Sequence, residues 1–174
     1  MNRQPVPYTH RFAETMRQLD GEGLLLAATH PDGRTNVMTI GWGTIGVIWG
    51  RPILTVLVRP SRYTYQYIEA SGEFTVNVPS PALTDFVRFC GSQSGRDHDK
   101  LARFEVRVTP GQRVRAATLD DCPLVYECRV VQQNDILPAA LDPQIESGYY
   151  AQGDLHRVYY GEILGVFAAA EGAA

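Results

Sequence analysis

The sequence predicts a mainly β protein: a closed antiparallel barrel with a few short covering helices. Three observations carry that expectation. Short runs rich in Val, Ile, Leu and Thr recur along most of the 174 residues, and β-branched residues of this kind suit a pleated, half-buried surface. Turn-forming groups such as His30-Pro31-Asp32-Gly33 stand between them. Helices are few and short and do not alternate with strands, so the chain does not read as a series of βαβ units.

Taken in order, residues 9–20 space Phe12, Met16 and Leu19 as one helical face, and Gly21 and Gly23 end it. The apolar run 23–29 reads as a buried strand, followed across the turn by a strand through 35–42. Residues 45–49 and 53–58 are two more. After Arg59-Pro60 the pattern becomes helical over 61–70, with Ser61 placed as N-cap. Residues 73–78 alternate, putting Phe74, Val76 and Val78 on one face. Ser80-Pro81 opens a helix to about Phe89, Ser80 capping and Pro81 in the first turn. A short helix follows Asp97, and strands are expected at 103–108, 113–117, 124–132 and 156–168. Residues 133–153 show no period and are expected to form a long loop excursion, of a length that in compact domains is usually functional or mobile. The whole of 1–174 reads as one domain.

Composition narrows the function classes. Apolar residues are 44% and charged residues 20% of the chain, as in a soluble globular domain. The net charge of −3 leaves no basic excess for a nucleic-acid groove, so any phosphate site must be local. Cys90, Cys122 and Cys128 have neither C-x-x-C spacing nor an even count, which predicts reduced thiols in a cytoplasmic protein. No apolar stretch approaches a membrane span, and residues 1–10 hold no signal-peptide run.

Four segments carry candidate chemistry. In 36–42, Asn36 and Thr39 offer hydrogen bonds, while Met38, Ile40 and Trp42 offer apolar contact on the face they share with Asn36. A planar ring with a polar edge needs both, although a half-buried strand with a core Trp fits the same residues. In 59–64, Arg59, Ser61, Arg62 and Thr64 gather charge and donors at a helix start, where free amides suit a phosphate. A capped helix with solvated arginines fits equally. In 90–100, Ser94 and Gly95 form a loop that lets backbone approach a ligand, and Lys100 follows one turn later. Ser94 also suits a cap for the next helix. His98 and Asp99 have no further ligand at metal spacing, so no metal is expected. Finally, His156 opens the last long strand and is a candidate to carry a proton near neutral pH. Hydrolase elbows, triphosphate loops and the G-x-G-x-x-G fingerprint are absent from the sequence.

In this order the pieces N-V-M-T-I-G-W (36–42), R-P-S-R-Y-T (59–64), G-E-F-T-V-N-V-P (72–79), C-G-S-Q-S-G-R-D-H-D-K (90–100) and H-R-V-Y-Y-G-E-I (156–163) resemble the flavin reductase-like, FMN-binding split-barrel family. That family includes flavoredoxin and reductases that supply flavin to monooxygenases. The resemblance implies an FMN-binding split β-barrel of Greek-key type and a homodimer with FMN near the subunit interface. It implies that Asn36, Met38, Thr39, Ile40 and Trp42 line the ring, and that Ser61, Arg62 and Thr64 hold the ribityl chain and phosphate. Ser94, Gly95 and Lys100 complete the polar contacts, His156 stands near the flavin as the candidate catalytic residue, and Phe167 approaches the ring from the end of the same strand. Asn77 is expected to support its strand rather than touch flavin. Leu155 precedes His156 where the family more often has Asp, which here is Asp154.

The implied activity is FMN-dependent oxidoreduction with NADH or NADPH as donor and a small molecule, monooxygenase or redox protein as acceptor. A non-catalytic FMN carrier similar to flavoredoxin, and a flavin-free binding protein on the same barrel, are the alternatives.

Overall fold

The computed structural model describes residues 2–170. Ten strands and five α-helices follow one another as β1 (Arg3–Pro5), α1 (Phe12–Asp20), β2 (Leu24–Thr29), β3 (Thr35–Ile40), β4 (Gly43–Ile48), β5 (Arg51–Val58), α2 (Tyr63–Ser71), β6 (Glu73–Val78), α3 (Thr84–Ser92), α4 (Lys100–Arg103), β7 (Val108–Pro110), β8 (Ala117–Leu119), β9 (Leu124–Asp135), α5 (Pro143–Tyr149) and β10 (Arg157–Ala169). The main sheet is antiparallel, in the order β3-β2-β6-β9-β10-β5-β4, with β1 added to β10. Its two ends are β3 and β4, which are neighbours in sequence but do not pair. The barrel is therefore split along a seam spanned by Gly41 and Trp42.

Alternation explains the interior. Leu24, Leu26 and Ala28 of β2, Leu54, Val56 and Val58 of β5, Phe74, Val76 and Val78 of β6, and Leu124, Tyr126 and Cys128 of β9 form one buried core. Each Leu, Val or Phe among them contributes roughly 1.5–3 kcal/mol when fully withdrawn from water. The opposite face of β2 and β3 is buried as well. Leu25, Ala27 and Val37 pack there beneath Phe86, Val87 and Cys90 of α3. That two-sided burial is why residues 23–29 show no alternation in the sequence.

Several boundaries differ from expectation. Ser61 does not cap α2: Arg62 holds the N-cap position, and the Ser61 hydroxyl donates instead to Asp154 Oδ2 at 2.6 Å. Ser80 makes no capping bond, and Pro81–Leu83 is a 3₁₀ turn before α3. Residues 103–106 are not a strand. Asp99 caps α4 through the Ala102 amide at 3.0 Å, and Phe104 then turns its ring onto Phe86 and Phe89. The expected strand at 113–117 lies later, as β8.

The segment 133–153 is not an irregular excursion. Its first residues continue β9 to Asp135, Pro138–Ala140 makes a 3₁₀ turn, and α5 follows with Asp142 capping through the Gln144 amide at 2.8 Å. Strand β1 had no pattern to announce it. It is fixed by pairing with β10 and by Arg3, which donates to the carbonyls of Cys122 and Leu119.

Candidate functional site

A cavity of about 300 Å³ opens beside the seam. Asn36, Met38, Thr39, Ile40 and Trp42 from β3 and its exit line it, with Ser61, Arg62 and Thr64 from the approach to α2, Ser94, Gly95 and Lys100 from the loop into α4, and His156 from the foot of β10. Of the residues expected to contact a flavin, Phe167 alone lies elsewhere. It sits on β10 opposite Val125, buried, and lines a separate cleft with Arg3 and Glu127. The reason is length: β10 runs thirteen residues, and at about 3.3 Å per residue Phe167 is carried far along the barrel from His156. Asn77 supports its strand as expected. It is fully buried, donates to the Leu25 carbonyl at 3.3 Å and accepts from the Leu119 amide at 2.9 Å.

One wall of the cavity is a closed set of hydrogen bonds. Asn36 donates through Nδ2 to Thr64 Oγ1 at 2.7 Å, tying β3 to the first turn of α2. Its Oδ1 lies against Gly95 so closely that a Cβ there would overlap it and come within 2.9 Å of Asn36 Cγ. Glycine is thus required by close approach. Thr39 donates to the Val87 carbonyl at 2.6 Å and joins β3 to α3. Ser94 does not cap α4; its hydroxyl accepts from the Arg96 amide at 3.1 Å and shapes the loop. Lys100 is 4% exposed, and its Nζ donates to the carbonyls of Val37 at 2.9 Å and Cys90 at 3.3 Å. Burial lowers its pKa, opposed by Cys90 and aided by Arg62. An ammonium has three protons to donate, so two bonds leave it capacity toward the cavity.

The start of α2 holds uncommitted donors. The amides of Tyr63 and Thr64 meet no acceptor among the described residues, and neither does the Arg62 guanidinium. Arg59, by contrast, is fully engaged. It donates to the carbonyls of Tyr149 at 2.9 Å, Asp154 at 3.0 Å and Gly153 at 3.4 Å, and lies 5.1 Å over the Tyr150 ring. In a chain of net charge −3, four cationic side chains, Arg59, Arg62, Arg96 and Lys100, line one small cavity.

The other wall is formed by Trp42 and His156, which line the cavity and are backed by Tyr149 and Tyr150 behind them. The Trp42 ring centre lies 5.0 Å from Tyr149 and 4.9 Å from His156. Tyr150 Oη sits 2.8 Å from His156 Nδ1. Burial first, then Arg59 and Arg62, push the His156 pKa down to about 4, against the opposing pull of Asp154. His156 is therefore uncharged at neutral pH, and the expected proton carrier is a neutral imidazole. Tyr149 and Tyr150 were not found from the sequence. The available signal was Asp142-Pro143, a cap followed by proline in the first turn, which marks α5 and hence where its C-terminal tyrosines fall.

Relatives share this frame. A flavoredoxin of Desulfovibrio vulgaris is similar at 25% identity and a TM-score of 0.68, covering 85% of this chain and 69% of that one. A flavoredoxin from Methanosarcina acetivorans is similar at 27% and 0.67 over the same shares. An uncharacterized protein of Archaeoglobus fulgidus is 29% identical over 133 residues, 76% of this chain and 65% of its own length. The YddH protein of Escherichia coli is 30% identical over 99 residues, 56% and 52%. The chain thus spans about half to two-thirds of the curated relatives it matches. The flavin reductase like domain matches residues 16–174, which takes in both walls of the cavity, and by that match the chain belongs to the flavin reductase-like family.

Proposed function

We propose that this chain binds FMN in the cavity and passes electrons through it, as an oxidoreductase of flavin reductase type working with NADH or NADPH in a homodimer. The observation that carries the reading is the pairing of unsatisfied donors with a flat apolar strip. The Tyr63 and Thr64 amides, the Arg62 guanidinium and the buried Lys100 ammonium suit a phosphate and a polar ring edge. Met38, Ile40 and Trp42 suit a ring face. From Asn36 to Ile40 the strand advances about 13 Å, enough to run along an elongated cofactor. The residues present therefore fit the group.

Bound FMN would supply the two-electron chemistry. The protein's part is to hold and shield. Arg62 and the start of α2 fix the phosphate, with Ser61 and Thr64 at the ribityl chain. Asn36, Gly95 and Lys100 set the polar edge, with Ser94 shaping the loop and Thr39 bracing β3. Trp42 covers the ring, and His156 offers a neutral N–H. A small molecule or a redox protein is the final acceptor, and the three buried free thiols suit a reducing cytoplasm. Likeness to two flavoredoxins supports a second reading, a carrier that keeps FMN but does not oxidise NAD(P)H.

Visible absorption after adding FMN and desalting tests the reading. Flavin bands should stay with the protein, and Arg62→Ala should weaken FMN binding by about tenfold or more. Unchanged affinity in that variant would overturn the phosphate corner. Anaerobic bleaching by NADH or NADPH separates reductase from carrier.

A further inference from the structure

The aromatic wall contains a device that the flavin reading does not itself require. His156 has two ring nitrogens, and which one carries the proton decides what the cavity meets. Nδ1 faces Tyr150 Oη at 2.8 Å. Tyr150 is 6% exposed, and its hydroxyl has no other partner among the described residues. A buried hydroxyl donates where an acceptor exists. The contact admits either direction, but a phenol gives up its proton more readily than a neutral imidazole N–H, so the hydroxyl donating to Nδ1 is the favoured arrangement and leaves the ring proton on Nε2.

The ring is also held in place. Trp42 packs on it at 4.9 Å and the Tyr150 ring at 5.6 Å. Tyr150 is itself pinned by the Arg59 guanidinium, which binds the carbonyls on either side of the turn that follows α5. The charged groups facing His156 are Arg59 from the end of β5, Arg62 from the start of α2 and Asp154 from the loop before β10. Burial first, and then two cations against one carboxylate, keep the imidazole from charging.

We propose that Tyr150 is a positioning residue that locks His156 as the neutral Nε2–H tautomer, so that the segment 137–154 sets the hydrogen-bonding character of the cavity wall. His156 then meets a bound molecule as a donor and not as a base. This rests on reading the cavity as the flavin site: a flavin ring edge carries acceptors that such an N–H would meet. Tyr149, next in the chain, cannot substitute, because it is more than half exposed and its ring packs edge-on against Trp42.

The test uses ¹⁵N NMR of the His156 ring in the full chain without added FMN, so that it stands or falls apart from the cofactor. The wild-type protein should show Nε2 protonated and Nδ1 bare around neutral pH. A protonated Nδ1 would overturn the proposal outright, whatever any variant does. Tyr150→Phe keeps the ring on Trp42 and Arg59 but removes the donor. The tautomers should then mix, and the His156 titration should move up by about one unit, because the lost bond stabilised the neutral form. An unmoved titration and an unchanged tautomer would show that Tyr150 only packs. With FMN loaded, Tyr150→Phe should retain the flavin while shifting the acid limb of the pH–rate profile. Loss of retention in Arg62→Ala is a separate readout and tests the flavin site alone.

Discussion

The two walls of the cavity are built on opposite principles. The wall of Asn36, Thr39, Thr64, Gly95 and Lys100 is a set of short hydrogen bonds between β3, α2, α3 and the loop into α4, mostly out of contact with water. The wall of Trp42 and His156 is backed by the rings of Tyr149 and Tyr150 in edge-on and tilted contacts, with Trp42 38% and Tyr149 57% exposed, and the backing segment hangs on one arginine. Buried hydrogen bonds fix atoms to fractions of an ångström and are costly to leave unmade. Ring contacts tolerate sliding. The first wall is thus suited to hold a ligand, and the second to admit and orient whatever meets its exposed side.

The sharpest break in this comparison is Gly95→Ala. The added methyl group would overlap Asn36 and press on Tyr63 Cδ1 at 3.0 Å. Moving Asn36 also costs its bond to Thr64. We expect a loss of about 2–3 kcal/mol in urea unfolding, together with loss of FMN retention. Full stability would mean that the first wall is softer than its contacts indicate.

A middle-sized effect comes from acid. His156 holds its proton more weakly in the fold, at about 4, than in the open chain at 6.5. Between those values the unfolded chain binds a proton that the folded one refuses. Stability therefore falls as pH drops from 6.5 toward 4 and is level above that window. His156→Gln should remove about 1–2 kcal/mol of this slope, after allowance for solvent at a partly exposed ring. Urea midpoints for both proteins across the window measure it. Equal slopes would show that the second wall does not repel charge.

The smallest effect is Arg59→Ala. It frees three carbonyls and the Tyr150 ring. Global stability should change by less than about 1 kcal/mol, while amide exchange in α5 speeds up on the order of five- to tenfold. Unchanged exchange would mean that the second wall stands without its anchor.

Much of the first wall was legible because its signals are local. Asn36 and Met38 share a strand face by simple alternation, and the small residues before Lys100 announce a loop that backbone can approach. The barrel strands were legible for the same reason. The second wall was not, since α5 lies in a stretch with two prolines and no apolar period, and its tyrosines are anchored beside the site by Arg59, some ninety residues earlier in the chain. Phe104 misled in the other direction: its alternation with Val106 and Val108 imitates a strand, but the Asp99 cap starts a helix first. Ser61 had the right chemistry for a cap, and a carboxylate from a distant loop claimed it.

The split barrel leaves β3 as the last strand of its sheet. A terminal strand offers unpaired backbone groups to any other strand that drifts past, and proteins commonly blunt such edges with a lysine. Here the Val37 carbonyl of β3 is occupied by the Lys100 ammonium. The cation that faces the cavity therefore also closes one of the open acceptors along that edge. Removing it would be read twice, once as a weaker site and once as two buried carbonyls left without their donor.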